Sequence, residues 1–450
     1  MQAPLLSTSR RSSFFCSRTL TMSLLDLSAL LVVVTGGLAF LNNRFLKLPP
    51  SIGVTVCGLA LSLLLLLLVE LRVPFARTAV DLVREIQFED FVFQGVLSFL
   101  LFAGALGINS HALWALRGPV VTFALLSTVL STGLVGLAVY GLLRLFDLDV
   151  SLVYCLLFGA LISPTDPVSV LGALKRAKVP RRIETLVAGE SLFNDGVGVV
   201  AFAVIASVAA VSTGSHADAL SVSGIALFFA QEALGGLLLG TVLGLIGWWV
   251  LRMMDDFVVE VLITLGVVIS CTAVAAHLHT SAPLAAVAAG LVIGLLNNRV
   301  SSTLTSHEKF EGFWELIDEL LNIFLFVLLA LEVVALKFSV QALVLGALAV
   351  PLLLVIRAFS VAVPMQLLRK RYRFPALTRR LMVWGGLRGA ISVALAFSVP
   401  AGPERDLFLV MTYVIVVFSV LVQGLTVGGL ALQAARVGKI SSEQHKRSRE

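Results

Sequence analysis

Three short runs place charge and helix-breaking residues inside very apolar sequence. Ser163-Pro164-Thr165-Asp166-Pro167 is followed by Gly189-Glu190-Ser191-Leu192-Phe193-Asn194-Asp195-Gly196, and far along the chain stands Gly385-Gly386-Leu387-Arg388-Gly389. Carboxylates and an arginine within hydrocarbon-length stretches are costly, and such residues mark ion or proton paths. Paired interrupted helices are the sequence pointer to a secondary-transporter site.

Pro164 and Pro167 lack an N–H, free carbonyls one turn earlier and break the helix. Unwound backbone at membrane depth survives only where it is buried in protein or lines a cavity. With Asp166, the freed carbonyls offer hard oxygen ligands to a small cation. The plainer reading is a proline kink with Asp166 capping the next half-helix. Glu190, Ser191, Asn194 and Asp195 cluster on one face of the following span, a stripe turned to a cavity or partner helix. Asp195 is near mid-span, where desolvation disfavours its charge unless a proton or cation is present. The plainer reading here is a polar packing seam.

Arg388 keeps its proton and needs a partner at this depth; Glu190 is the expected one, with snorkelling as the alternative. Gly385, Gly386 and Gly389 allow close backbone approach and interrupt that span. Once Glu190 and Arg388 cancel, Asp166 and Asp195 remain. Two close carboxylates cannot both be charged cheaply without a cation. The arrangement implies a site where a sodium ion and protons compete and which faces each side in turn.

The elements that must position these groups are membrane helices. Of 450 residues, 58% are hydrophobic and only 13% charged, so the expected fold is all-α and polytopic, with no separate soluble domain. About thirteen spans are expected, at 27–41, 51–71, 91–108, 119–146, 151–174, 183–211, 221–250, 258–278, 282–297, 314–335, 339–367, 380–400 and 406–431. The ninth is short enough for a half-buried segment, and the polar 72–90 connection is long enough for a short interfacial helix. The broken spans are the fifth and the twelfth. Taking the seventh as a connector leaves two six-helix sets in inverted orientation.

Basic residues set the orientation. Lys175, Arg176, Lys178, Arg181 and Arg182, then Arg369, Lys370, Arg371, Arg373, Arg379 and Arg380, then the tail, fall on one side, expected to be cytoplasmic. The connections 212–220 and 277–281 carry no lysine or arginine. The N-terminus is then outside; three arginines in 72–90 run against this, softened by neighbouring acids. The net charge of +6 therefore reflects topology rather than nucleic-acid binding.

Residues 1–21 are basic, serine-rich and free of acids, as in a transit peptide or an over-long start before Met22. The membrane domain is expected over 22–431, followed by a basic tail, 432–450. Cys57, Cys155 and Cys271 lie in apolar runs, Cys16 near the start, and none pairs as CxxC. Glu70 and Glu332 are expected at interfaces, Glu232 deeper, Arg357 either paired or snorkelling, and His277 and His279 solvated. The basic 369–380 loop could touch anionic lipid, although orientation alone explains it.

The runs Phe99 to Leu106, Ser163 to Pro167, Gly189 to Gly196 and Gly385 to Ala390 resemble the bacterial NhaP-type sodium/proton antiporters. These are a branch of the monovalent cation/proton antiporter superfamily that includes the animal sodium/hydrogen exchangers. The resemblance spans about Leu27 to Leu430. It implies a thirteen-helix fold, a homodimer, and a six-helix transport bundle moving against a dimerisation domain. It further implies ion binding by Asp166, Asp195, Ser191 and the Thr165 carbonyl, with Asn194, Glu190 and Arg388 stabilising the bundle. The Asn194-Asp195 pair resembles the electroneutral branch. One position departs: some relatives place an acid on the third span, where this chain has Ala103.

The expected function is Na+ (or Li+)/H+ exchange in an inner (plasma) membrane, with no enzymatic reaction and no cofactor. A K+/H+ antiporter of the same fold and a sodium-coupled organic-anion symporter are the alternatives. A channel would pass ions without proton coupling, and the charge-paired core argues against a scaffold.

Overall fold

Proline and capping residues set where helices begin. The computed structural model describes residues 24–84, 88–108, 110–212, 222–253, 256–297, 304–372, 374–375 and 377–447. The expected extension 1–21, Cys16, the loop 213–221, Arg373 and the side chains of Lys439, Lys446, Arg447 and Arg449 lie outside what is described. Among the described residues there is no strand, only an isolated β-bridge between Asp166 and Leu387.

In chain order the helices are α1 (Leu24–Leu41), α2 (Pro50–Glu70), α3 (Pro74–Arg84), α4 (Phe88–Asp90) and α5 (Leu97–Gly107). Next come α6 (Ser110–Thr122), α7 (Thr128–Leu145), α8 (Leu152–Ile162), α9 (Val168–Ala177) and α10 (Arg181–Ser212). They are followed by α11 (Val222–Leu251), α12 (Phe257–Leu278), α13 (Ala282–Asn297), α14 (Leu304–Leu331) and α15 (Val340–Leu368). The last are α16 (Thr378–Trp384), α17 (Ala390–Phe397), α18 (Pro403–Phe418) and α19 (Gly424–Arg447). Pro50 and Pro403 occupy first-turn positions where a missing N–H costs nothing. The Asp256 side chain accepts from Val258 N (2.9 Å) and Val259 N (3.1 Å), and the Ser339 hydroxyl from Ala342 N (3.1 Å), capping α12 and α15.

Eight helical units are long and apolar enough to cross a membrane, and shorter apolar helices accompany them. Many of their large apolar side chains are outward, Val33, Leu63, Leu238 and Val355 among them. In water such a surface would be an aggregation hazard; against lipid it is the favourable solvent. The protein is a multi-pass membrane protein.

Each expected span coincides with helix, with informative differences at the ends. The fourth begins at Ser110 rather than 119: Pro119 sits inside α6, and the π-turn Phe123–Ser127 that follows absorbs the disrupted ladder. The tenth begins earlier, at Leu304, because its polar first turns are helical too. The last helix, α19, continues past the expected end of the membrane domain at 431 to Arg447. The short ninth span is α13, deeply buried against α11 and α5 through small residues; Gly240 lies directly on the Ala285 carbonyl. The 72–90 connection does hold a short helix, α3, which lays Ala76, Val80 and Val83 inward and leaves Phe75 exposed.

At the centre, the half-helices α8 and α9 and the half-helices α16 and α17 meet beside α10. The α8 half packs on α7 and α10, and α17 packs on α18 and α8. Cys155 and Cys271 are buried and Cys57 half-buried, all as free thiols.

Candidate functional site

The break between α8 and α9 follows from hydrogen-bond accounting. Pro167 has no N–H to give the Ser163 carbonyl, and Val168 N donates instead to Asp166 Oδ1 (2.9 Å), leaving the Pro164 carbonyl free. Arg388 supplies both missing donors: its Nη1 donates to Pro164 O at 2.9 Å and to Ser163 O. The Thr165 carbonyl takes the Ser191 hydroxyl from α10. Asp166 N, released from the helix, donates to Leu387 O (2.8 Å), which is where the two broken helices touch. The capping role of Asp166 is therefore real, on one carboxylate oxygen.

The break between α16 and α17 lets backbone come close. A Cβ on Gly389 would lie 2.8 Å from Asp166 Cβ and 2.9 Å from its Oδ2; one on Gly386 would lie 2.7 Å from Arg357 Nε. Neither position tolerates a side chain without movement. The Arg388 main-chain amide donates to Ser419 Oγ (2.8 Å), and that hydroxyl donates to Gln423 Oε1 (2.8 Å). Gln423 Nε2 returns to the Trp384 carbonyl at 3.1 Å, so the loop around Arg388 is held from the π-turn Ser419–Gln423.

On α10, Asn194 ties the helix to the break. Its Nδ2 donates to Thr165 Oγ1 (2.8 Å) and Glu190 Oε1 (3.1 Å), and its Oδ1 accepts from Thr165 N at 3.3 Å. The polar stripe read from the sequence is thus an inter-helix network rather than a simple seam.

The expected ion pair needs correction. Glu190 pairs with Arg357 of α15, not with Arg388: Nη1 to Oε1 is 2.9 Å and Nη2 to Oε2 is 3.0 Å, both residues buried. Arg357 also donates to the Met382 carbonyl. The reason is geometric. A guanidinium presents a planar fork that matches a carboxylate edge, and Arg357 offers it, while Arg388 is occupied by the carbonyls that the prolines expose. Arg357 accordingly does not snorkel. Glu332 is a second correction. It is only 5% exposed, because the 3-10 turn Glu332–Ala335 tucks it inward instead of leaving it at an interface. Glu70, His277 and His279 are exposed, and Glu232 is half-buried.

With Glu190 neutralised by Arg357, Asp195 is 4% exposed and its Oδ1 has no hydrogen-bond partner. Asp166 and Asp195 line one cavity of about 330 Å³, which also has Pro164, Pro167 and Gly389 in its wall. The same cavity reaches Lys175, Glu315, Asp318 and Asn322, at the end of the molecule where the 175–182 connection lies. Asp318 is steadied by Asn322, whose Nδ2 donates to Asp318 Oδ1 (3.1 Å) and to its carbonyl (2.8 Å). Ala103 is buried against a neighbouring charged cavity and brings no ligand.

Sequence reasoning did not find Ser419, Gln423, Asp318 or Asn322. The last two left a signal: Glu315, Asp318, Glu319 and Asn322 recur at helical spacing at the start of an apolar helix. Ser419 and Gln423 left none, since small polar residues in a membrane helix usually serve packing.

Two broken helices that touch beside a carboxylate-bearing cavity are the layout of a membrane transporter. The chain belongs to the sodium/hydrogen exchanger family, matching its transmembrane region over residues 28–433. It is 43% identical over 417 residues to the Na(+)/H(+) antiporter NhaP of Pseudomonas aeruginosa, covering 90% of this chain and 96% of that one. It is 32% identical to the Na(+)/H(+) antiporter NhaH of Halobacillus aidingensis, covering 85% of this chain and 91% of that one. Its fold is similar to that of the sodium proton antiporter MjNhaP1 from Methanocaldococcus jannaschii, with TM-score 0.73 at 20% identity over 92% of this chain and all of that one.

Proposed function

We propose that the chain is a secondary antiporter that exchanges Na+ or Li+ for H+, with Asp166 and Asp195 as the shared site. The observation that carries this reading is the unpartnered Asp195 Oδ1, buried in a cavity that Asp166 also lines. Two other buried charges beside it are engaged elsewhere: Glu190 pairs with Arg357, and Arg388 donates to two carbonyls. A carboxylate left uncompensated at that depth requires a proton or a cation. Competition between the two for one site is what couples their fluxes.

Thr165 and Ser191 complete the oxygen set around the ion, and the Glu190–Arg357 pair with Asn194 holds the bundle. A site that holds one charge at a time exchanges one cation for one proton, without net charge movement. Thirteen crossings in two inverted sets, with the crossed breaks at their centre, provide the alternating faces. The basic connections support a cavity mouth at Lys175 on the cytoplasmic side of an inner membrane, with the N-terminus outside. A homodimer fits the apolar outer faces. The antiporter relatives favour Na+ over K+ and over symport of an organic anion.

The decisive experiment is a pH-sensing dye assay in vesicles, adding Na+, Li+ or K+ with and without a membrane potential. Cation-driven proton release that ignores the potential is expected. Flux without proton coupling, or release that scales with the potential, would count against one-for-one exchange.

A further inference from the structure

The connection between α15 and α16 is more than a basic loop. Tyr372 and Phe374 form the shared wall of two cavities, of about 630 Å³ and 170 Å³. Arg369 and Arg379 line the larger, and Arg182 and Arg371 the smaller. These four arginines have exposed side chains, and no carboxylate pairs with any of them among the described residues. Topology explains why the loop is basic. It does not explain why four guanidinium groups converge on two hollows.

Apart from Gln366 in the larger and Thr378 in the smaller, the rest of each lining is apolar or aromatic: Met365 and Ala362 in the larger, Leu116, Ile183 and Leu186 in the smaller. The cavities begin where the long apolar helix α15 ends, at Leu368. Charge at the rim, hydrocarbon in the wall and a position at the end of a membrane-crossing helix match a phosphate-bearing amphiphile. Guanidinium forks bind phosphate oxygens in pairs, and basic pockets between membrane helices hold anionic headgroups. A free phosphate shares the headgroup chemistry but has no use for the apolar wall.

We infer that the two arginine-lined cavities around Tyr372 form a binding site for the phosphate headgroup of an anionic phospholipid. The position gives such a lipid leverage. Arg182 stands at the first turn of α10, which carries Glu190 and Asp195, and Arg379 at the first turn of α16, which leads into Gly385 and Gly386. A bound headgroup would tie together the starts of both site-bearing helices. This inference goes beyond the antiport reading and stands without it, because binding is measured independently of transport.

The test uses the purified full chain in neutral detergent. Its thermal unfolding midpoint and its retained lipid, by native mass spectrometry, are followed on adding phosphatidylglycerol, phosphatidylcholine or inorganic phosphate. Phosphatidylglycerol is expected to raise the midpoint and to be retained, with phosphatidylcholine and phosphate giving neither. The double variants Arg369→Gln/Arg379→Gln and Arg182→Gln/Arg371→Gln should each weaken apparent lipid affinity on the order of tenfold. Lys370→Gln/Arg380→Gln removes the same loop charge from residues that line neither cavity, and should keep the wild-type response. Equal loss in all three double variants would reduce the effect to general surface charge and overturn the site. An unchanged response in the first two, or full protection by inorganic phosphate alone, would overturn it as well.

Discussion

Arg357 holds both carboxylate oxygens of Glu190, at 2.9 and 3.0 Å, across a span of sequence that separates α10 from α15. Both side chains are buried, so removing either leaves an uncompensated charge. Such a loss costs about 3–5 kcal/mol, whereas removing both together is far milder. Glu190→Gln and Arg357→Met are each expected to lower folded yield and the thermal midpoint sharply, with much of the loss recovered in the double variant. The check is a double-mutant cycle on the purified protein. A large coupling for Glu190 with Arg357 and a small one for Glu190 with Arg388 is expected; the opposite ranking would refute the pairing.

Asp195→Asn should abolish cation-driven proton release while leaving the fold intact. The amide keeps the volume of the carboxylate and loses its charge, and Oδ1 has no hydrogen bond to forfeit. Asp166→Asn should behave alike in transport and also keep the fold, because the amide Oδ1 can still accept from Val168 N. Vigorous exchange by a well-folded Asp195→Asn protein in the dye assay would remove the proposed site.

Competition has a definite sign. On the proposed mechanism protons and Na+ exclude each other from one site, so acidification is expected to raise the half-saturating Na+ concentration, by at most about tenfold per pH unit for a single proton. The rate at saturating Na+ should change far less. Ser191→Ala should raise half-saturating Na+ roughly fivefold at every pH, the equivalent of about one hydrogen bond, because the Ser191 hydroxyl holds the Thr165 carbonyl in place. A pH series of initial rates in proteoliposomes separates the two effects. A half-saturating concentration that ignores pH would contradict direct competition.

The site was legible in the sequence to the extent that cost is legible. Asp166, Asp195, Glu190 and Arg388 were conspicuous because each is expensive in hydrocarbon, and the proline and glycine breaks flagged the helices that carry them. Partner choice was not legible. Arg357 and Arg388 are both arginines within apolar spans, and which one meets Glu190 depends on helix rotation and on the carbonyls that Pro164 and Pro167 expose. Spans were read well in their interiors, where hydropathy decides. They were read poorly at Ser110 and Leu304, where polar turns extend a helix beyond the apolar stretch.

Gly389→Ala separates transport geometry from folding. The residue has an ordinary extended backbone, φ −121°, so an alanine there is not strained by its own torsions. The added methyl meets Asp166 Cβ at 2.8 Å and Oδ2 at 2.9 Å, closer than real Cβ contacts allow. Asp166 must therefore shift, which disturbs its hydrogen bonds to Val168 N and to the Leu387 carbonyl. Gly386→Ala meets Arg357 Nε instead, at 2.7 Å, and so presses on the Glu190 pair. The two alanines should then fail differently. Gly389→Ala should raise half-saturating Na+ with near-normal folded yield, and Gly386→Ala should lower yield and thermal midpoint first. Gly172→Ala, in the wall of the same cavity, meets only the flexible tip of Arg176 at 3.4 Å and serves as the control. If Gly389→Ala transports with wild-type affinity, the close approach of the second broken helix to Asp166 has no part in holding the ion.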